Sequence, residues 1–370
     1  MKFNIRIIPV ATILLVALLT VLPAAAQQPA GWIVTTDYST FGRVRSFDAA
    51  DPWTVSADLA VIPGDATGRH HDGLVYILGR GQSNLMQVWD PAAGFALLDE
   101  TSLGSGLNLQ DIAFDTEGDA YVSCYDSAVL LRVDPVDGTV LDTYDTSMFA
   151  DADGLPETSL MAVVGDLLYI TCQRLDVNNW YSPTGPGALL VFDMVAEVWV
   201  DMDPGTAGVQ PIALQGANPY TRILVDGDRL TVGCAGFFGV ADGGIEGVDT
   251  SAGISTGYLH TEAELGGDIN RIQRDGEDLL VVINDAAFNT SVRRAGAGGV
   301  DVLDALPGFV HSDIMLLGND LYVADRTIGA AGLRVLDAVT GVERTAGAIA
   351  TGLAPGLFIR SATAPVSGVE

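Results

Sequence analysis

Oxygen donors are the first residues in this chain whose types and spacing suggest chemistry. In "DADGLPE" (151–157), Asp151, Asp153 and Glu157 place three carboxylates within one short segment. Hard divalent cations such as Ca²⁺ are held by oxygens of this kind. The spacing is an incomplete version of the D-x-D-x-D-G loop that closes with Glu at position twelve, and Gly154 and Pro156 equally mark an ordinary turn. Further donors, Gln110, Asp111, Asn218, Asp268, Asn270, His311 and Asp313, stand at the starts of strand-like phrases elsewhere. A Glu/Asn/Asp set converging from several such phrases would take Ca²⁺, and a bound ion could polarise a carbonyl and activate water. The competing reading is that these groups hydrogen-bond each other and trapped water.

Other motifs carry less. "GISTG" (253–257) matches G-x-S-x-G around Ser255, but that nucleophile needs a strand, a sharp turn and a helix. Here a Gly/Thr-rich hairpin surrounds it. "RHHDG" (69–73) sets two histidines side by side, and neighbours on a strand point to opposite faces, so solvent-exposed His is expected rather than a zinc site. Cys124, Cys172 and Cys234 form no C-x-x-C pair and no zinc spacing. The only lysine is Lys2, which excludes a P-loop, and no dinucleotide fingerprint is present.

The elements that must position these groups repeat along the chain. Strand-like phrases recur after Asp/Gly/Asn turns: "GWIVTTD", "DGLVYILG", "DAYVSCYD", "DLLYITCQ", "DRLTVGCAG", "DLLVVIND" and "DLYVADRT". Aligning Val34, Tyr76, Tyr121, Tyr169, Thr231, Val281 and Tyr322 gives spacings of 41 to 50 residues and one of 62. Most of them match the roughly 40–50 residues of a propeller blade. A second apolar phrase ending in Asp follows each first one, and "VDVLDA" (300–305) fills that role in the sixth copy, which is then expected to lack an outermost strand. The pattern predicts an all-β, seven-bladed β-propeller spanning 27–361, with a tail at 362–370. "GLAPGLFIRS" (352–361) should pair beside "GWIVTTD" and close the ring, removing its last open edge. Three blades then hold their cysteines at one structural position. Equivalent positions in neighbouring blades are too far apart for a disulfide, so three semi-buried thiols are expected rather than a metal ring.

The phrases "DLYVADRTIGAAGLRVLDAVTG" and "DAYVSCYDSAVLLRVDPVDG" resemble YVTN-type β-propeller repeats, in which a Y-V-T-N strand leads to V-x-V-I-D and a T-G turn. The resemblance runs over nearly the whole repeat region and implies a propeller of secreted or surface type. Gluconolactonase-type propellers are similar in using a channel ion, although this chain does not align to their motif residue by residue.

One copy of the repeat is longer than the rest. Between "YITC" and "ALLVFD" lies a polar and aromatic insertion, 173–187, where blade three turns in a few residues. In a propeller this connection lies over a mouth of the central channel. Blades five and six also lengthen it, at 235–244 and 285–299. Trp180, Tyr181, Phe237, Phe238, Phe288, Arg293 and Arg294 are thereby expected in one sector of one face, where exposed aromatics and Arg serve as binding anchors.

The opening "MKFNIRIIPVATILLVALLTVLPAAAQQ" has a basic start, an apolar run and an Ala-rich cleavage site, as an export signal over 1–26 would. An uncleaved anchor is the other reading. A periplasmic or extracellular protein is expected, with no membrane span beyond that segment. The formal charge of −29 repels phosphate backbones and argues against nucleic acid as a partner. The function read from these residues is non-catalytic binding of a cell-surface protein or glycan through the loops of blades four to six. The alternative is a divalent-metal-dependent hydrolase, lactonase or lyase working in the channel.

Overall fold

Seven small antiparallel sheets form a ring in the computed structural model, which describes residues 29–362. The expected export signal and residues 363–370 of the tail lie outside the described residues. The innermost strands follow one another around the channel: Ala66–His71, Leu109–Phe114, Thr158–Val164, Leu224–Asp226, Asp268–Asp275, His311–Leu317 and Ala354–Arg360. The last of these pairs antiparallel with Gly31–Thr36, Gly31 opposite Arg360, so the C-terminal strand completes blade one as expected. Among the described residues, no helix is long and apolar enough to cross a membrane.

Local chemistry explains each blade. The aligned phrases are all second strands, reached from the innermost strand through tight turns; at Asp72–Gly73 both residues have positive φ, 45° and 81°, as a type I′ hairpin requires. The Asp that ends most third strands folds back on its own turn. Asp90 accepts from the Ala92 and Ala93 N–H groups, and Asp337 from Val339 and Thr340. The apolar faces are buried between blades, with one cluster of buried side chains at each seam. Tyr121, Tyr169 and Tyr322 are fully buried at three of these seams.

Two expectations are corrected. Blade six has four strands, Asp268–Asp275, Asp278–Asn284, Thr290–Gly296 and Gly299–Leu306. "VDVLDA" is thus its outermost strand, and the third strand is the polar "TSVRRAG". Its arginines find partners that an apolar phrase would not need, which is why the alternation pattern passed it over. The histidines of "RHHDG" are half-buried rather than exposed, ending the innermost strand of blade two. They do point to opposite sides: the His70 ring lies 5.1 Å from Trp32, and His71 stacks on Phe114 at 3.9 Å.

The cysteines hold one position in blades three, four and five, each in a different interblade cluster, and all three are free. They are fully buried rather than semi-buried, and burial pushes the Cys124 and Cys172 thiols up to about 12 and Cys234 well above its ordinary value. Since the thiolate is the reactive form, all three should resist iodoacetamide in native buffer and react together in denaturant. Mass spectrometry of the alkylated protein checks this, and native labelling of any one would refute it.

Candidate functional site at the channel mouth

The connections between second and third strands open on one face of the ring, here the insertion face. The insertion after Cys172 carries a two-stranded hairpin, Leu175–Asp176 against Ser182–Pro183. At its tip Trp180 and Tyr181 both take left-handed backbone, φ 57° and 54°, a conformation that costs a non-glycine residue roughly 1 kcal/mol or more. Trp180 is 94% exposed, and Tyr181 turns over the channel.

The carboxylates that suggested a calcium loop bond to this insertion. Asp151 accepts the Thr184 hydroxyl at 2.6 Å, Asp153 the Val177 N–H at 3.1 Å, and Glu157 the Leu175 N–H at 2.9 Å. Asn218 and Asp268 play the same part for the loop of blade five. Asn218 donates to the Gly236 carbonyl at 3.3 Å, and Asp268 accepts from the Gly239 N–H at 2.7 Å. Each of the five is thus bonded to loop backbone or to a loop side chain, Asp151, Asp153 and Glu157 at the insertion and Asn218 and Asp268 at the loop of blade five. Among the described residues no three His, Cys, Asp or Glu side chains are grouped as metal ligands. Burial, reinforced by Asp153 and Asp151, pushes the Glu157 carboxyl up to about 8, against the one backbone hydrogen bond that opposes it.

The exposed aromatics divide. Phe237 and Phe238 are half-exposed on the blade-five loop, with Phe238 edge-on to Tyr220 at 5.3 Å. Phe288 tops the short 285–289 turn of blade six beside Phe309. Arg293 and Arg294 are not loop residues: both belong to the third strand of blade six. Arg293 donates to the Ser291 hydroxyl at 3.0 Å. Arg294 reaches the opposite face, where it pairs with Asp275 at 2.6 Å and Asp278 at 2.9 Å. Misplacing the third strand of blade six had turned a five-residue turn into a long loop.

The mouth on the insertion face is a cavity of about 350 Å³, at the low end of the roughly 300–1,000 Å³ of small-molecule sites. Tyr125, Tyr181 and Tyr220 come to it from blade three, the insertion and the lead-in to blade five; Tyr125 and Tyr181 stand 6.4 Å apart. Asn108, Gln110 and Gln173 add carboxamides, which both donate and accept. Arg80, Arg222 and Arg271 also line it. A second cavity of about 560 Å³ opens on the opposite face, and Thr67, Leu160 and Arg222 line both.

Sequence reasoning missed these arginines. Asp111 and Asp313, which it did name, anchor two groups of them. Asp111 takes Arg69 at 2.8 and 2.6 Å and the Met161 N–H of the next blade at 2.8 Å. Asp313, almost fully buried, takes Arg222 at 2.9 Å, Arg271 at 3.5 Å and the Phe358 N–H of the closing strand at 2.8 Å. The available signal was an Arg within the innermost-strand phrases "TGRHHDG", "TRILVDG" and "NRIQRDG" of a chain that otherwise carries few cations. Ser255 lies within the outermost strand of blade five and donates to buried Glu246; the one-turn helix Glu262–Leu265 begins only after that strand ends, so Ser255 is not at a strand–turn–helix junction.

No family model matches this chain, and neither does any curated protein. Solved structures do. A functionally unknown protein from Desulfotomaculum acetoxidans is 12% identical, with a TM-score of 0.59 over 91% of this chain and all of the other. Hydrazine synthase from Kuenenia stuttgartiensis is 12% identical, at TM-score 0.56 over 88% of this chain and 100% of that one. The dihydro-heme d1 dehydrogenase NirN is 13% identical, at 0.51 over 92% of this chain and 78% of its own. At such identities the likeness is one of fold, the seven-bladed propeller.

Proposed function

We propose that this chain is an exported, non-catalytic recognition module that binds its ligand in the mouth on the insertion face. The observation that carries this reading is the tip of the insertion. Two consecutive residues are held in strained left-handed backbone, and they present one aromatic ring to solvent and another to a cavity lined by two further tyrosines. Strain of this kind is retained where it positions a contact. The surrounding carboxylates spend their hydrogen bonds on shaping the loops, which suits a binding surface better than a metal-assisted reaction. The resemblance of the repeats to YVTN-type propellers supports export, and the acidic surface suits a partner other than nucleic acid.

The test is the binding of short oligosaccharides and peptides, read by intrinsic fluorescence with Trp180 as reporter. Tyr181→Ala is expected to weaken the ligand by about tenfold or more, the effect of removing a binding anchor, with the melting midpoint unchanged. Wild-type affinity in both Tyr181→Ala and Trp180→Ala, the latter read calorimetrically, would place the ligand elsewhere.

A further inference from the structure

The channel is basic in an acidic protein. The sequence holds 47 Asp and Glu and 17 Arg (18 cationic side chains including Lys2), yet the two cavities are lined by six arginines and a single carboxylate, Asp111. Arg80, Arg222 and Arg271 face the mouth on the insertion side, and no Asp or Glu lines that cavity. Behind its wall Asp313 serves two guanidinium groups at once, so this pair of arginines keeps one unit of positive charge uncompensated. Each guanidinium has five N–H donors, more than Asp313 can accept from both. Arg80 lies 3.7 Å from Asp65, at the edge of ion-pair range.

Like charges gathered between low-dielectric walls repel one another and destabilise a fold unless an anion joins them, and they focus field into the cleft. Acidic residues are abundant in this chain, so their absence from the mouth is a property of the site. The exterior, at −29 overall, turns away polyanions, which leaves a ligand with one or a few anionic groups. Arginine matches a planar carboxylate through paired hydrogen bonds. The remaining lining describes the body of that ligand. Asn108 is held by Gly81, Gln110 and Asp126, and the amide NH2 groups of Gln110 and Gln173 donate to Asn108 and Pro219. The two glutamine carbonyl oxygens are therefore the groups that suit hydroxyl donors, and the Tyr125 and Tyr181 rings offer flat amphipathic faces.

We propose that the mouth binds an acidic saccharide, with a uronate carboxylate against Arg80, Arg222 and Arg271 and the sugar ring between the tyrosines and the carboxamides. This rests on the recognition reading above and adds the chemical class of its ligand.

The probe is trigalacturonate, with its fully methyl-esterified form as a neutral analogue, both titrated calorimetrically into the purified protein. The acid is expected to bind at least about tenfold more tightly than the ester, since charge-assisted hydrogen bonds are lost with the charge. Arg80→Gln and, independently, Arg271→Gln should each weaken the acid by about tenfold and leave the ester unchanged, and Arg80→Gln, outside the Asp313 network, should keep the melting midpoint. Equal binding of acid and ester, absence of trigalacturonate binding, or undiminished affinity in both variants overturns the proposal. A tripeptide with a free carboxylate that binds as tightly as the uronate also overturns it. If that peptide or a neutral oligosaccharide binds instead, and Tyr181→Ala abolishes the binding, the recognition reading stands while the acidic-saccharide assignment falls.

Discussion

Asp313→Ala is expected to destabilise the protein by about 3 kcal/mol, the cost of removing one partner from a buried charged network. The carboxylate is 1% exposed. It accepts the Ile314 N–H at 3.0 Å and the Phe358 N–H at 2.8 Å, and it pairs with Arg222 and Arg271. Those contacts join blades five, six and seven to the closing strand of blade one. Alanine leaves two guanidinium groups facing each other and two buried N–H groups without their acceptor. The arginines are partly exposed, which keeps the figure at the lower end of the range for buried pairs. Asp313→Asn should lose less, because an amide oxygen can still accept from Phe358. Urea denaturation with a common slope measures both; a loss below about 1 kcal/mol for the alanine variant would show that the network holds nothing together.

The second large effect is a pH dependence carried by Glu157. Its side chain is fully buried, Oε2 accepts from Leu175, and Oε1 has no hydrogen-bond partner among the described residues. Burial raises its pKa from 4.5 to about 8, so the native state keeps it neutral where the unfolded chain ionises it. The stability it permits is complete below pH 4.5, declines as pH rises, and is lost through pH 8, a change of a few kcal/mol. Glu262, raised to about 7 chiefly by burial, contributes to the same decline at its lower end. Exposed carboxylates such as Asp285 and Asp137, held low by backbone N–H groups, act in the opposite sense as pH falls below the usual aspartate range. Melting temperature should therefore peak near the pH at which free glutamate titrates and fall toward pH 8. Glu157→Gln should raise the midpoint at pH 8 and leave it unchanged at pH 4.5. A wild-type profile flat between pH 5 and 8 would refute the assignment.

The repeat was legible because its signals are local. A Tyr or β-branched residue in each second strand, an Asp closing the third and a Gly in the hairpin each reflect a backbone or packing demand met within one blade. The closing pair, Gly31–Thr36 with Ala354–Arg360, followed from counting strands at both ends. Blade six misled because its third strand, "TSVRRAG", meets the same geometry with ion pairs rather than apolar alternation. The insertion was placed over the mouth from topology alone, and Tyr181 does line it. What the sequence concealed was long-range pairing. The hydrogen-bond partners of Asp151, Asp153 and Glu157 lie 18 to 33 residues away in the insertion, beyond the reach of a local motif. The arginines of the channel are spread over nearly 300 residues and become a cluster only when the ring closes.

The ring's closure also fixes a direction. Ala30 and Ser361 meet through a backbone hydrogen bond of 3.0 Å where the closing strand ends, and Ala362 lines the cavity opposite the insertion. Both ends of the propeller thus leave from one spot on the far side. A tether, a fused reporter or a sensor surface joined at either end would hold the molecule by its back, and the tyrosine-lined mouth would point outward and stay open to solution.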